Sequence, residues 1–307
     1  MPHFAPIHHA VDEPSAAERS DRRTYPAFVA AAVLAGGNPV AVRISYAELA
    51  PFWGAALRFL IAFVILLVVI AVLRLPIPRG RALAGVLLYG LLQFGVPFIL
   101  IYWALTEVTA GTTMVILAVV PLLTLIFGVA ERLERLSVRG IAGAVIAVIG
   151  VGLVFSDGIG AASPGALLAV LGGAVSMAAA PIVIKKFPRV HAVVENALGM
   201  AVGGGLLFGL SVVFAEPKVV LVELQTQLAL AYLVVLGSIG VFLLYLFVLR
   251  RMSASGATYV MLLAPLAAVG LGATLLGEPV RPIFLVGGVF VLSGVYVGVI
   301  AQAARNR

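Results

Sequence analysis

From Tyr25 to Ala303 the chain is a succession of long apolar stretches divided by short polar joints that hold most of its charge. A helix needs about 20 predominantly apolar residues to cross the hydrocarbon core of a bilayer. On that measure the pattern predicts spans near 25–46, 52–73, 82–104, 108–130, 138–155, 163–184, 192–214, 226–249, 254–276 and 282–303. Runs such as Phe59–Leu73 and Leu228–Val235 are apolar on every side, whereas the strands of a membrane barrel alternate lipid-facing and lumen-facing residues. The expected fold class is therefore an all-α integral membrane protein with ten transmembrane helices.

Composition agrees: 63% of residues are hydrophobic and 11% charged, against about 25% charged in soluble domains. Residues 1–24 hold charge, proline and three histidines without an apolar core, so they do not read as a cleavable signal peptide and are expected to form a disordered cytosolic tail. His8-His9 lacks the carboxylate or cysteine framework of a metal site, so no metal and no cofactor is expected. Cationic loops stay cytoplasmic. The groups Arg19 to Arg23, Arg74 to Arg81, Arg132 to Arg139, Lys185 to Arg189, Arg250-Arg251 and Arg305 to Arg307 all fall on one side, leaving Arg43, Lys218 and Arg281 on the other. Both termini are thus expected in the cytoplasm. The net charge of +7 reflects that topology and attraction to anionic headgroups, and no nucleic-acid partner is expected.

The chain also repeats itself. A shift of 144 positions places Pro121, Leu122, Gly128, Glu134, Gly143 and Gly150 on Pro265, Leu266, Gly272, Glu278, Gly287 and Gly294 without a gap. Each half carries five predicted spans, an odd number, so the halves are expected to enter the membrane from opposite sides. Inverted repeats are the plan of many secondary transporters, with the substrate site near midplane between them.

Polar residues at depth are costly unless they face protein or water, which makes Asn38, Gln93, Ser176, Ser238 and Tyr259 candidates for lining such a site. Tyr89, Gln93 and Pro97 share one face of the third helix, and Tyr102 lies further along it. The alternative for Asn38 and Gln93 is hydrogen bonding between helices. Pro121 and Pro265 remove a backbone donor in mid-helix and are candidate hinges, with static bending as the alternative. Gly294 and Gly298 fit close helix packing. Arg58, within the second span, is expected either to snorkel past Trp53 or to pair with Glu48, and Glu195 lies one turn into the seventh helix. No nucleophile and base, carboxylate pair or metal cluster appears at depth, so an enzyme is not expected.

The stretch GNPVAVRISYAELAPFWGAALRFLIAFVILL, from Gly37 through Leu67, resembles the opening of the EamA domain of the drug/metabolite transporter superfamily. The carrying residues are Gly37-Asn38, Pro51 and Arg58-Phe59. They are joined by Trp103-Ala104-Leu105, Thr109-Ala110 and Pro121-Leu122, with Ser253-Ala254 and Pro265-Leu266 in the second half. Gly36-Gly37 departs from the Trp-Gly common in the family, so an aromatic wall is expected to be missing or supplied elsewhere. The resemblance implies two EamA-like repeats, 25–155 and 163–303, in the inner membrane. Length, loop spacing and the tyrosine- and glutamine-bearing third helix are similar to aromatic amino acid exporters of the YddG type.

With Tyr89, Tyr102 and Tyr259 near Gln93 and Asn38, and no deep unpaired charge, the expected substrate is a neutral or aromatic amino acid. The expected mode is alternating access by a monomer in the lipid bilayer, as a facilitator. Another substrate of the superfamily (a nucleoside or cationic drug), proton antiport and a channel are the alternatives.

Overall fold

The computed structural model describes residues 16–132, 138–158, 162–219, 221–241, 244 and 254–297, with the backbone alone for 16–25, 157–158 and 254–262. Among the described residues every regular element is helical: α1 (Ala16–Ser45), α2 (Pro51–Val72), α3 (Arg81–Ala104), α4 (Ala110–Ala130), α5 (Val138–Gly158), α6 (Pro164–Ile184), α7 (Ala192–Val213), α8 (Leu224–Gly240), α9 (Ala254–Leu276) and α10 (Pro282–Val295). Within these, seven stretches are long and apolar enough to cross a membrane, from Pro26–Ser45 through Ala192–Val213. The predicted spans 226–249, 254–276 and 282–303 run into residues outside the description or with backbone alone, and their described apolar parts are shorter. The first helix begins at Ala16, so the last residues of the predicted disordered tail continue it as helix; residues 1–15 lie outside the described ones.

The exterior is apolar. Val64, Val68 and Val72 along α2 and Val145 and Val148 on α5 are exposed, a surface that water would penalise and lipid tails accept. Inside, α5 packs along α10, α2 along α7 and α1 along α9. The contact of α1 with α9 has a counterpart in α6 with α4, and that of α3 with α6 in α8 with α1, as expected when helix n of one half takes the role of helix n+5 of the other. The closest approaches use glycine. A Cβ on Gly36 would collide with the Ala264 carbonyl oxygen of α9, and one on Gly150 of α5 would come within 2.5 Å of the Val291 backbone nitrogen of α10.

Four glutamates tie helix ends together along one face. A helix start leaves backbone N–H groups without partners and carries partial positive charge, which a carboxylate satisfies. Glu216, after α7, accepts from the Phe52 and Trp53 amides at 3.1 and 2.7 Å. Glu48, after α1, accepts from Val222 and Glu223 at 2.9 and 3.0 Å, and Glu107, after α3, from Ser163 at 2.9 Å. Glu278, after α9, accepts from Ala110 at 2.9 Å and pairs with Arg43 Nε at 3.2 Å. These backbone bonds hold the Glu48 and Glu107 carboxyls below the ordinary glutamate range.

Two tests follow from this packing. Gly36→Leu should destabilise the protein by about 1–3 kcal/mol or more through overpacking. Gly152→Leu, where a Cβ meets nothing within 4 Å, should be near neutral, and thermal unfolding in detergent compares the two. Because the folded-state values of Glu48 and Glu107 are depressed, their contribution is complete above the ordinary glutamate pKa and is lost as pH falls through the depressed values. The acid-side drop in melting temperature should therefore shrink in Glu48→Gln and Glu107→Gln.

Candidate functional site

The centre of the protein is shaped by two departures from α-helical hydrogen bonding. Leu91–Gly95 in α3 and Tyr232–Gly240 in α8 are π-helical, and a shift of 144 carries 91–95 to 235–239, inside the second stretch. In α3 the cause is readable. The Val96 amide bonds the Leu91 carbonyl, and Pro97 has no N–H to give, so the Leu92 carbonyl loses its helical donor. Ser176 of α6 replaces it, donating from Oγ at 2.9 Å. Such π-turns concentrate at functional sites.

Between the halves lies a cavity of about 390 Å³, within the range of small-ligand pockets. Asn38 of α1, Arg58 and Phe59 of α2, Gln93, Phe94, Phe98 and Tyr102 of α3, and Gly237 and Ser238 of α8 line it, together with Met114, Leu117, Met177, Asn196 and Met200. The aromatic wall is a phenylalanine cluster. Phe59 meets Phe98 edge-on at 4.6 Å and Phe94 at 5.6 Å, and Phe94 lies nearly parallel to Phe98 at 6.4 Å.

Arg58 corrects the sequence expectation. It neither snorkels outward nor meets Glu48, whose carboxylate is taken by the start of α8. It points inward and is 4% exposed. Nε donates to Ser238 Oγ at 3.0 Å, Nη2 to the Gly237 carbonyl at 3.2 Å and to Asn38 Oδ1 at 3.4 Å, and Nη1 to the Tyr102 hydroxyl at 3.4 Å. The guanidinium carbon lies 5.2 Å from the Phe59 ring centre and 5.6 Å from that of Phe98. Asn38 in turn donates to the Gly237 carbonyl at 3.2 Å. Its Oδ1 stands so close to Gly237 that any Cβ there would collide with it. A deep cation with neutral partners alone thus faces the cavity, where no deep unpaired charge was expected.

Of the predicted residues, Asn38, Gln93, Tyr102 and Ser238 come together at this cavity. Tyr89 sits beside it, edge-on to Phe94 at 6.1 Å, and Ser176 is held by the Leu92 carbonyl. The side chain of Tyr259 lies outside the described residues. Pro121 coincides with an interruption of α4 at Ala118-Val119, whereas the helix containing Pro265 is continuous. At Gly36, where the family often has tryptophan, the Ala264 carbonyl leaves no room for a side chain. The neighbouring Gly37 instead receives the Tyr232 hydroxyl, which donates to the Leu34 carbonyl at 2.7 Å. Phe94, Phe98 and the methionines carried no sequence signal that separated them from lipid-facing residues. Arg58 did: it stands about two turns inside α2, beyond easy reach of the interface.

The model of the EamA-like transporter family matches the chain twice, at residues 22–156 and 164–300. The chain is 29% identical over 275 residues to the uncharacterized inner membrane transporter YedA of Escherichia coli strain K12, covering 88% of this chain and 89% of that protein. The YedA proteins of strains O6:H1 and O157:H7 match equally. A solved crystal structure, 19% identical, aligns over 93% of this chain and 99% of its own with a TM-score of 0.64, which speaks to the fold. With the family domain found twice across nearly its whole length, this chain belongs to the EamA-like transporter family and is a membrane transporter.

Proposed function

We propose that this transporter exports amino acids with aromatic or other bulky neutral side chains across the inner membrane, by alternating access around the central cavity. The observation that carries the reading is that cavity: a phenylalanine wall of Phe59, Phe94 and Phe98 beside one polar corner of Asn38, Gln93, Tyr102 and Ser238. Such a site suits a small molecule with an apolar body and a compact polar head. Aromatic pairs contribute about 0.5–1.5 kcal/mol each beyond burial. Gradient-driven efflux by a monomer is the mode, since among the described lining residues there is neither a carboxylate nor a histidine to carry a proton.

In this reading ten spans form two inverted repeats, 25–155 and 163–303, with both termini in the cytoplasm. The inversion is supported by Glu216, which follows α7 and bonds the first turn of α2, so that these equivalent helices run antiparallel. Pro121, at the interruption of α4, is the proposed hinge, and Pro265 its counterpart.

Counterflow of labelled phenylalanine, tryptophan and leucine in proteoliposomes, with and without a pH gradient, tests the reading. Saturable exchange that ignores the pH gradient is expected; competition by nucleosides in place of neutral amino acids would move the substrate elsewhere in the superfamily. Gln93→Ala should lower transport several-fold at unchanged expression, the size of one lost hydrogen bond of about 1 kcal/mol. Tyr89→Phe, off the cavity, should leave transport near normal. Because the chain has no cysteine, single cysteines at Asp157 and Lys218 should react with an impermeant thiol reagent in intact cells. One at Lys185 should react only after lysis, and the reverse pattern would overturn the orientation.

A further inference from the structure

We infer that Arg58 is the carboxylate subsite of the central cavity, and that the cavity recognises its ligand by the carboxylate, with no charged partner for an α-ammonium among the described lining residues. Its ligand class is thereby an apolar or aromatic monocarboxylate, of which a neutral amino acid is one case. This rests on the reading of the cavity as the transport site and names the group that is recognised there.

An arginine keeps its charge in any protein environment, and burying a charge without an opposite one is expensive. Arg58 is buried, yet its hydrogen-bond partners, the Ser238 and Tyr102 hydroxyls, the Asn38 amide oxygen and the Gly237 carbonyl, are all neutral. They orient the guanidinium without cancelling its charge. Among the described residues no carboxylate pairs with it, and no acidic residue lines the cavity.

Two of its contacts, to Tyr102 and Asn38, are long at 3.4 Å, so they give way easily to a stronger acceptor. A carboxylate takes two parallel N–H groups of a guanidinium, and here it would be anchored while the apolar body lies against Phe98 and Phe94. An ammonium meets the opposite situation. Asn38 Oδ1 and the Gly237 carbonyl already accept from Arg58, the amide oxygens of Gln93 and Asn196 offer neutral acceptors only, and the guanidinium repels a second cation.

The test uses the full chain in nanodiscs and isothermal titration calorimetry with three probes of one shape: phenylalanine, 3-phenylpropionate and phenethylamine. The expected order has 3-phenylpropionate at least as tight as phenylalanine and phenethylamine weaker than both by about tenfold or more. Arg58→Gln should weaken both carboxylates by about tenfold or more, and Arg58→Lys should recover part of that loss. If Arg58→Gln does not fold, the order on the unaltered protein decides. Phenethylamine binding as tightly as phenylalanine, or a folded Arg58→Gln that keeps its 3-phenylpropionate affinity, overturns the subsite. Phenylalanine bound without need of Arg58 would leave the amino-acid reading standing and sink this one. Arg58-dependent 3-phenylpropionate with no phenylalanine binding would do the reverse, and silence from all three probes overturns both.

Discussion

A polar group inside hydrocarbon has no water to fall back on, and the whole arrangement follows from finding it a partner within the protein. Pro97 takes one donor out of α3, the helix widens into a π-turn, and the stranded Leu92 carbonyl is reached by Ser176 from α6. Arg58 is met by α1, α3 and α8 at once. That single guanidinium therefore fixes the relative positions of helices from both halves. The packing around it leaves no spare room at Gly237, where Asn38 occupies the space a side chain would need.

Where the cavity sits is a consequence of the same economy. The π-helical stretches fall at equivalent positions in α3 and α8, so both halves open their backbone beside the same cavity. Gln93 on one side and Ser238 on the other reach the same space. The apolar remainder of the wall comes from phenylalanine, methionine and aliphatic side chains, which hold its shape through packing.

Much of the fold was legible in the residue pattern, because length and apolar content decide whether a helix can span a bilayer. The predicted end of the third span at residue 104 coincides with that of α3. Around the helix axis the pattern was nearly mute. In a soluble protein the polar side marks the outside, but in α2 residues on exposed and buried sides are alike apolar, so buried Phe59 could not be told from exposed Ile61. Asn38, Gln93, Tyr102 and Ser238 were readable as inward-facing because each is polar at depth. Arg58 was misread because a long cation offers two escapes, outward to the headgroups or inward to acceptors, and the acceptors lie on helices far away in sequence. Ser176 satisfied the polarity rule too, yet its partner is a backbone carbonyl whose need arises only from a π-turn.

The four glutamates that follow α1, α3, α7 and α9 each close the start of a helix in the opposite half: α8, α6, α2 and α4. Two of those starts, at Ala50 and Glu223, have no side-chain cap of their own. Each five-helix unit alone would leave these amides to water, and its sister supplies a carboxylate in water's place. A duplicated ancestor of this design would have gained stability by fusion or pairing as soon as both copies met in one membrane, and a drift in one copy's helix ends would have been felt first by the other.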